Sequence, residues 1–184
     1  VAAKVAQRTE TSIWEGSTAT SGQFDGLTTL LAADAAHTGS TKITGEAITA
    51  ANVIAQLGSI VDALPSAIYG KEDVKIYISQ NIAKAYVSAQ AALGYRDLYN
   101  VGQTEMNFQG VPLFVANGLA ANAAVAAETS NLYFGTGLLS DHNEVKVIDM
   151  ADIDGSQNVR VVMRFTAGVQ YGIVSDIVSY GIGL

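Results

Sequence analysis

The sequence has no cysteine and very few of several other residue types: 2 prolines, 1 tryptophan and 2 histidines in 184 residues. Without cysteine the chain can form neither a disulfide framework nor a thiolate metal cluster, and it has no thiol nucleophile. Charged residues make up only 15%, whereas about 25% is usual. This low fraction suggests that a partner covers part of the surface, although 18 glycines and many small residues also lower it.

A positive charge excess and long apolar runs are absent as well. The net charge is −7, which argues against a nucleic-acid binder, because such proteins need a cationic surface. Any contact with DNA is therefore expected to be non-specific. No apolar run approaches the roughly 20 residues that span a bilayer, so we expect no membrane partner. The sequence starts without methionine and within a helical pattern, so we expect a fragment or a processed product.

Three segments show the periodicity of amphipathic helices. They run from Val1 to Trp14, from Thr49 to about Leu64, and from about Gln80 to Leu93. Thr49 is a suitable N-cap for the second of these helices. Gly94 stands where a glycine commonly ends a helix.

Short strands are predicted where apolar residues alternate or cluster between turn residues. These are Val74–Ile78, Val111–Ala116 and Leu132–Gly135. Pro112 has no N–H to donate, which favours a sheet edge or the start of a strand. The segments Leu27–Ala36 and Ala120–Ala127 are apolar, and their secondary structure stays open.

The stretch from Val159 to Tyr180 is the most regular in the chain. Its apolar residues alternate with Arg160, Arg164 and Thr166, which predicts a strand with one face on a core. The segment Glu144–Ile148 alternates in the same way. Asp154-Gly155 lies between the two, and this pair is a strong hairpin signal. We therefore predict one long antiparallel hairpin with an acidic tip, bent at Gly168 or Gly172. Because strands and helices do not alternate regularly along the chain, the fold class is α+β.

Residues that could carry chemistry are few. Neither His37 nor His142 has a partner at metal-ligand spacing. Asp141, His142 and Glu144 could form a metal or general-base cluster, but a solvated turn explains them better. Asp152 and Asp154 resemble the start of a calcium loop, yet position twelve is Met163 instead of glutamate. We therefore predict no catalytic, cofactor-binding or metal site.

Taken in order, the segments resemble the C-terminal portion of a tailed-bacteriophage major capsid protein with the Hong Kong ninety-seven type fold. The helix that ends at Trp14 resembles the end of the family's spine helix. The helix–strand–helix order from Ile48 to Leu93 resembles the core of its axial domain. Gly110-Val111-Pro112 resembles a strand start in that domain, and the hairpin from Glu144 to Tyr171 resembles that of its peripheral domain.

This resemblance implies a division of the chain. Residues 1–26 would be the end of the spine helix and its connection, and 27–140 the axial domain. Residues 141–174 would be the peripheral-domain hairpin, and 175–184 a strand returning to the axial domain. Residues at the axial loop and on the hairpin become candidate subunit contacts: Arg96, Asp97, Tyr99, Asn100, Asp152, Asp154, Asn158, Arg160 and Arg164.

The function implied is that of a non-enzymatic coat protein of an icosahedral virion, assembling with itself into hexamers and pentamers. Scaffolding and portal proteins would be partners, and the host cytoplasm the place of assembly. An encapsulin-like nanocompartment shell shares the fold and is the near alternative. The alternative of another class is a carbohydrate-acting enzyme that uses paired carboxylates from Asp141, Glu144, Asp152 or Asp154.

Three family elements have no counterpart in the sequence: the N-terminal arm, the extended loop and most of the spine helix. We therefore expect weaker association between subunits, and a monomer or small oligomer in solution. Some members of the family form a covalent cross-link near the position of Asn158. The lysine-bearing loop is missing here, so we do not expect that cross-link.

Overall fold

A computed structural model describes residues 2–94, 106–137, 145–151, 155, 157–163 and 166–182. Within this part of the chain there are four α-helices: α1 (Ala2–Glu15), α2 (Leu27–Ala33), α3 (Val53–Asp62) and α4 (Gln80–Ala92). The same part contains ten strands: β1 (Lys42–Ile43), β2 (Val74–Ile78), β3 (Met106–Phe108), β4 (Val111–Val115), β5 (Ala124–Glu128), β6 (Leu132–Thr136), β7 (Val145–Asp149), β8 (Val159–Met163), β9 (Ala167–Tyr171) and β10 (Val178–Tyr180). This mixture confirms the predicted α+β class. None of the helices described is long and apolar enough to cross a lipid bilayer.

Six of the strands described form a mixed central sheet in the order β1-β10-β5-β2-β4-β3. Helices α3 and α4 pack on one face through Leu57 and Ile82, against Ile76 of β2. Helices α1 and α2 pack on the other face, where Trp14 and Leu31 meet Tyr77 of β2. Because adjacent residues of a strand point to opposite faces, β2 serves both layers of the core.

The central position of β5 was left open by the sequence. This strand reads Ala-Val-Ala-Ala-Glu, and its first four residues are buried. It lies between β10 and β2 and is antiparallel to both. A strand covered on both faces has no alternation of polar and apolar residues, and alanine has a low strand propensity. The sequence therefore carries no clear strand signal at β5.

The β3–β4 hairpin explains the proline in β4. Its two turn residues, Gln109 and Gly110, both have positive φ, at 47° and 83°. Such a pair matches the turn that suits a two-residue hairpin. Pro112 precedes Leu113, where the parallel pairing with β2 begins. Although β4 lies inside the sheet, Pro112 therefore occupies the predicted strand start.

The helix ends agree in part with the sequence. Helix α3 has Asn52 as its N-cap, three residues after the predicted Thr49. The Asn52 carboxamide oxygen instead accepts the Thr49 N–H at 2.7 Å and braces the preceding turn. Gly94 follows α4 with φ of 75°, as expected for a glycine that ends a helix.

The C-terminal ribbon differs from the prediction. Only β8 pairs with β7, whereas β9 pairs with β6 and β10 lies in the central sheet. The hairpin from 145 to 163 is thus confirmed, but the stretch up to Tyr180 is not one continuous hairpin arm. Gly168 lies within β9 opposite Gly135. The chain leaves β9 at Gly172, one of the two glycines at which a bend was predicted.

Candidate subunit interface

The β7–β8 hairpin has an apolar face that is largely exposed. The register pairs Val145 with Met163, Val147 with Val161, and Asp149 with Val159. Because directly paired residues and residues two apart share a face, four valines lie together. We call this surface the valine face: Val145, Val147, Val159 and Val161. Their exposed fractions are 50%, 67%, 62% and 37%.

The alternation predicted for β8 is confirmed, but the burial predicted for it is wrong. Val159 and Val161 were expected to pack on a core, yet both belong to the exposed valine face. The opposite face of the hairpin pairs Lys146 with Val162 and Ile148 with Arg160. Periodicity reveals which residues share a face, but it does not tell which molecule covers that face.

Of the candidate contacts from the sequence, two lie in the part that the structure describes. Asn158 is exposed, and its backbone carbonyl accepts the N–H of Met150 at 3.0 Å, closing the base of the hairpin tip. Arg160 is exposed on the face opposite the valines. The others lie outside the described residues: Arg96, Asp97, Tyr99, Asn100, Asp152, Asp154 and Arg164. The same holds for Asp141 and Glu144 of the alternative carboxylate pairs.

Helix α1 is fixed to the loop after β4 by two carboxylates. Glu10 accepts the backbone N–H of Asn117 at 3.0 Å, and Glu15 accepts that of Ala120. Partial burial raises the pKa of Glu15, and the Ala120 N–H opposes this rise. Gly118 lies between these contacts and packs against the backbone of Glu10. The arrangement fixes α1 against the end of the central sheet, where Trp14 contacts Tyr77.

The side chain of Asn131 braces the end of the β6–β9 sheet that lies next to the central sheet in sequence. Asn131 precedes β6, and its carboxamide oxygen accepts the N–H groups of Gly172 and Ile173 at 3.1 and 2.7 Å. Its amide group donates to the carbonyl of Ile173 at 2.8 Å. Asn131 is buried, so these bonds satisfy polar groups that have little access to water. They fix the place where the chain leaves β9.

A cleft of about 480 Å³ lies between α1 and strands β8 and β9. Its walls include Arg8 of α1, Phe24, and Met163 at the end of β8. Among the described residues no group of three or more histidines or carboxylates could hold a metal ion. The cleft thus offers a mixed polar and apolar surface, and Arg8 is the cation among its described lining residues.

One buried pair has the residue types of a nucleophilic site. The Nε2 atom of His37 lies 2.6 Å from the Ser179 hydroxyl. Both residues are about 1% exposed, so a substrate has no access to the hydroxyl. Nδ1 of His37 has no hydrogen-bond partner among the described residues, whereas a catalytic histidine needs an orienting group there. The pair therefore joins β10 to the segment after α2 and forms no nucleophile–base–orienter set.

Comparison with solved structures places this arrangement in a known fold. The satellite phage P4 procapsid contains a chain with a TM-score of 0.68 and 8% identity, covering 97% of this chain and 60% of that one. The capsid of an empty GTA particle gives 0.64 and 14%, with 97% and 64% covered. A chain from Mycobacterium phage Che8 gives 0.62 and 15%, with 97% and 60% covered.

The fold is therefore that of phage major capsid proteins, as the sequence resemblance predicted. This chain spans only about 60–64% of the length of these three structures. At such low identities the likeness defines the fold alone. No family model matches the sequence, and no curated protein matches it.

Proposed function

We propose that the chain is the shell-forming part of a structural subunit of an icosahedral tailed-phage or prophage capsid. Copies of the full protein would assemble into hexamers and pentamers. The observation that supports this role most is the valine face, an apolar surface on a two-stranded sheet on which three of the four valines are at least 50% exposed. Contiguous apolar surface of this kind is typical of protein–protein contact sites.

The energy available at the valine face suits a repeated contact. Burying the exposed part of one valine contributes on the order of 1 kcal/mol. Four such residues are thus worth a few kcal/mol before the cost of association is subtracted. A contact this weak is marginal between two molecules, but symmetry repeats it many times in a closed shell. The proposed role is structural and requires no catalysis.

The remaining partners follow from this role as proposals. Scaffolding and portal proteins would guide assembly in the host cytoplasm, and the mature location would be the virion shell. With a net charge of −7, contact with packaged DNA would be non-specific. Arg160, on the face opposite the valines, would offer a cation to an acidic neighbour.

The experiment compares Val147→Asp and Val147→Ile in the full-length protein. Val147 is 67% exposed, so both variants should keep the fold of the subunit. The aspartate places a charge where a neighbour would exclude water, whereas isoleucine keeps the apolar, β-branched surface. We expect shells or capsomers with wild type and Val147→Ile, and free subunits with Val147→Asp. Electron microscopy and analytical ultracentrifugation give the readout.

A full-length wild-type protein that stays monomeric with its neighbouring gene products would overturn the capsid proposal. Equal assembly of both variants would remove the valine face from it and leave another surface to be found. Circular dichroism of the two variants checks that a loss of assembly is not a loss of folding.

A further inference from the structure

His37 is unusual among the buried polar side chains of the described part of the chain. The others are serine, threonine and asparagine, whereas histidine changes its charge near neutral pH. His37 is 1% exposed and lies in the segment that connects α2 to β1. Its Nε2 contacts Ser179 of β10 at 2.6 Å, and its Nδ1 is buried without a hydrogen-bond partner among these residues. The ring is thus held in a site that suits only its neutral form.

The charged groups that act on His37 come from the elements on either side of it. Asp34, at the end of α2, favours the imidazolium, and Lys42 of β1 disfavours it. The Asp34 carboxylate already accepts the Tyr171 hydroxyl of β9 at 2.7 Å and the Ala36 N–H at 2.8 Å. The facing residue of β10, Ser179, is neutral. Protonation would therefore add a charge and an N–H at Nδ1, while the nearby carboxylate is engaged elsewhere.

The energetic direction follows from this geometry. Burial is the main cause that lowers the pKa of His37 below its ordinary value of 6.5, and Lys42 adds to it, while Asp34 opposes it. The unfolded chain binds the proton more tightly than the folded chain. The neutral ring thus allows full stability above about pH 6.5, and stability is lost as the pH falls from there through the folded-state pKa.

We propose that His37 is a pH-sensitive latch, which holds the α2–β1 segment against β10 at neutral pH and releases it when the ring is protonated. Release would loosen the pairing of β1 with β10, where Lys42 lies opposite Ser179 and Ile43 opposite Tyr180. It would also uncover the β10 edge of the central sheet. This device belongs to the fold of the subunit and holds whether or not the subunit builds a shell.

The test uses amide hydrogen exchange on the full chain between about pH 8 and about pH 5, corrected for intrinsic rates. The chain has 2 histidines, so His142→Gln is a matched control for His37→Gln. In wild type and in His142→Gln, the amides of β1 and β10, and the Gly181 N–H that bonds the Ile43 carbonyl at 3.1 Å, should lose protection as the pH falls. In His37→Gln this pH-dependent loss should be absent.

An NMR titration of the imidazole in the wild-type protein gives a second readout that needs no variant. A folded-state pKa below 6.5 for His37, with β1 and β10 signals moving at the same pH, supports the latch. An ordinary or raised pKa, or the same acid-dependent exchange in His37→Gln as in wild type, would overturn it. Acid-induced exchange spread evenly over all elements would overturn it as well.

Discussion

The carboxylate of Glu10 accepts the backbone N–H of Asn117 at 3.0 Å, which joins α1 to the loop that follows β4. The two residues lie 107 positions apart in the sequence. Gly118 follows Asn117, and a Cβ there would lie 2.9 Å from Cδ1 of Trp14 and would clash with the Glu10 carbonyl. The position of α1 therefore depends on the absence of a side chain at residue 118.

Gly118→Ala is expected to destabilise the chain by about 1–3 kcal/mol, because backbone atoms of α1 must shift to admit the methyl group. The measurement is the free energy of unfolding from urea denaturation. Gly58→Ala is the matched control, since Gly58 lies within α3 with no heavy atom within 4 Å of its would-be Cβ. There alanine should stabilise by about 0.5–1 kcal/mol. Equal effects of the two substitutions would contradict the proposed docking of α1.

Asn131→Ala is expected to destabilise by about 1–3 kcal/mol, because it removes the side-chain hydrogen bonds to the N–H and carbonyl of Ile173. The Gly172 N–H loses the Asn131 carboxamide oxygen but keeps the Asn131 backbone carbonyl at 3.1 Å. Thermal and urea unfolding measure the loss. Asn158→Ala serves as the control, because Asn158 is exposed at the hairpin tip. Its effect should stay within about 0.5 kcal/mol. If Asn131→Ala lowers the free energy of unfolding no more than the control does, the hydrogen bonds of the Asn131 side chain contribute little to stability.

Tyr171→Phe is expected to raise the pKa of Asp34 towards its ordinary value of 3.8. The Tyr171 hydroxyl is the main cause that lowers this pKa, ahead of the Ala36 N–H. Since the folded-state pKa is depressed, the stabilisation is present above about pH 4 and is lost as the pH falls through the folded-state pKa. The stability difference between wild type and variant should therefore be constant at neutral pH and shrink in acid.

Carboxyl NMR titration and unfolding at several pH values check this prediction. Tyr133→Phe is the control, because Tyr133 is an exposed phenol on β6. An Asp34 pKa that is the same in Tyr171→Phe and wild type would refute it. The reciprocal effect is also measurable, since burial and Asp34 raise the pKa of Tyr171 to about 12.

Calcium is expected to leave the melting temperature unchanged, within about 1 °C. Asp152 and Asp154 resemble the first two ligands of a calcium loop, but the position of the essential glutamate is Met163. Both aspartates lie outside the described residues, so this stays a prediction from sequence. A rise of several degrees on adding calcium would indicate a binding site.

Local patterns predicted much of the fold. The alternation in β2, the glycine after α4 and the hairpin between β7 and β8 each rest on signals from neighbours in sequence, and the structure confirms all three elements. Strand β5 was not predicted, because an alanine-rich strand buried on both faces carries no period. The pairing of β9 with β6 was also missed, whereas the resemblance had implied that residues 175–184 leave the hairpin. Strand pairing depends on contacts between distant segments, and an alternating pattern is the same whichever strand lies beside it.

The candidate contacts named from the sequence stay a prediction, and they do not include the valine face. Charged and aromatic residues were chosen as contacts, yet the exposed apolar surface on the hairpin consists of valines. In the sequence these valines are indistinguishable from core residues, since one chain does not reveal what covers its strands. Arg160 lies on the face of the hairpin opposite the valines, which agrees with the predicted alternation. Its role as a contact stays a prediction.

The place of β10 between β1 and β5 has a consequence for how the chain acquires its structure. Strand β10, the last that the structure describes, inserts into the interior of the sheet, and β1 pairs with no other of the described strands. A nascent chain that has emerged from the ribosome only as far as β9 leaves the edge of β5 open and β1 unattached. The central sheet is completed only after β10 has been synthesised, and bringing segments so far apart in sequence together is slow. Until then the edge of β5 stays unpaired, and an unpaired strand edge can pair wrongly with another chain.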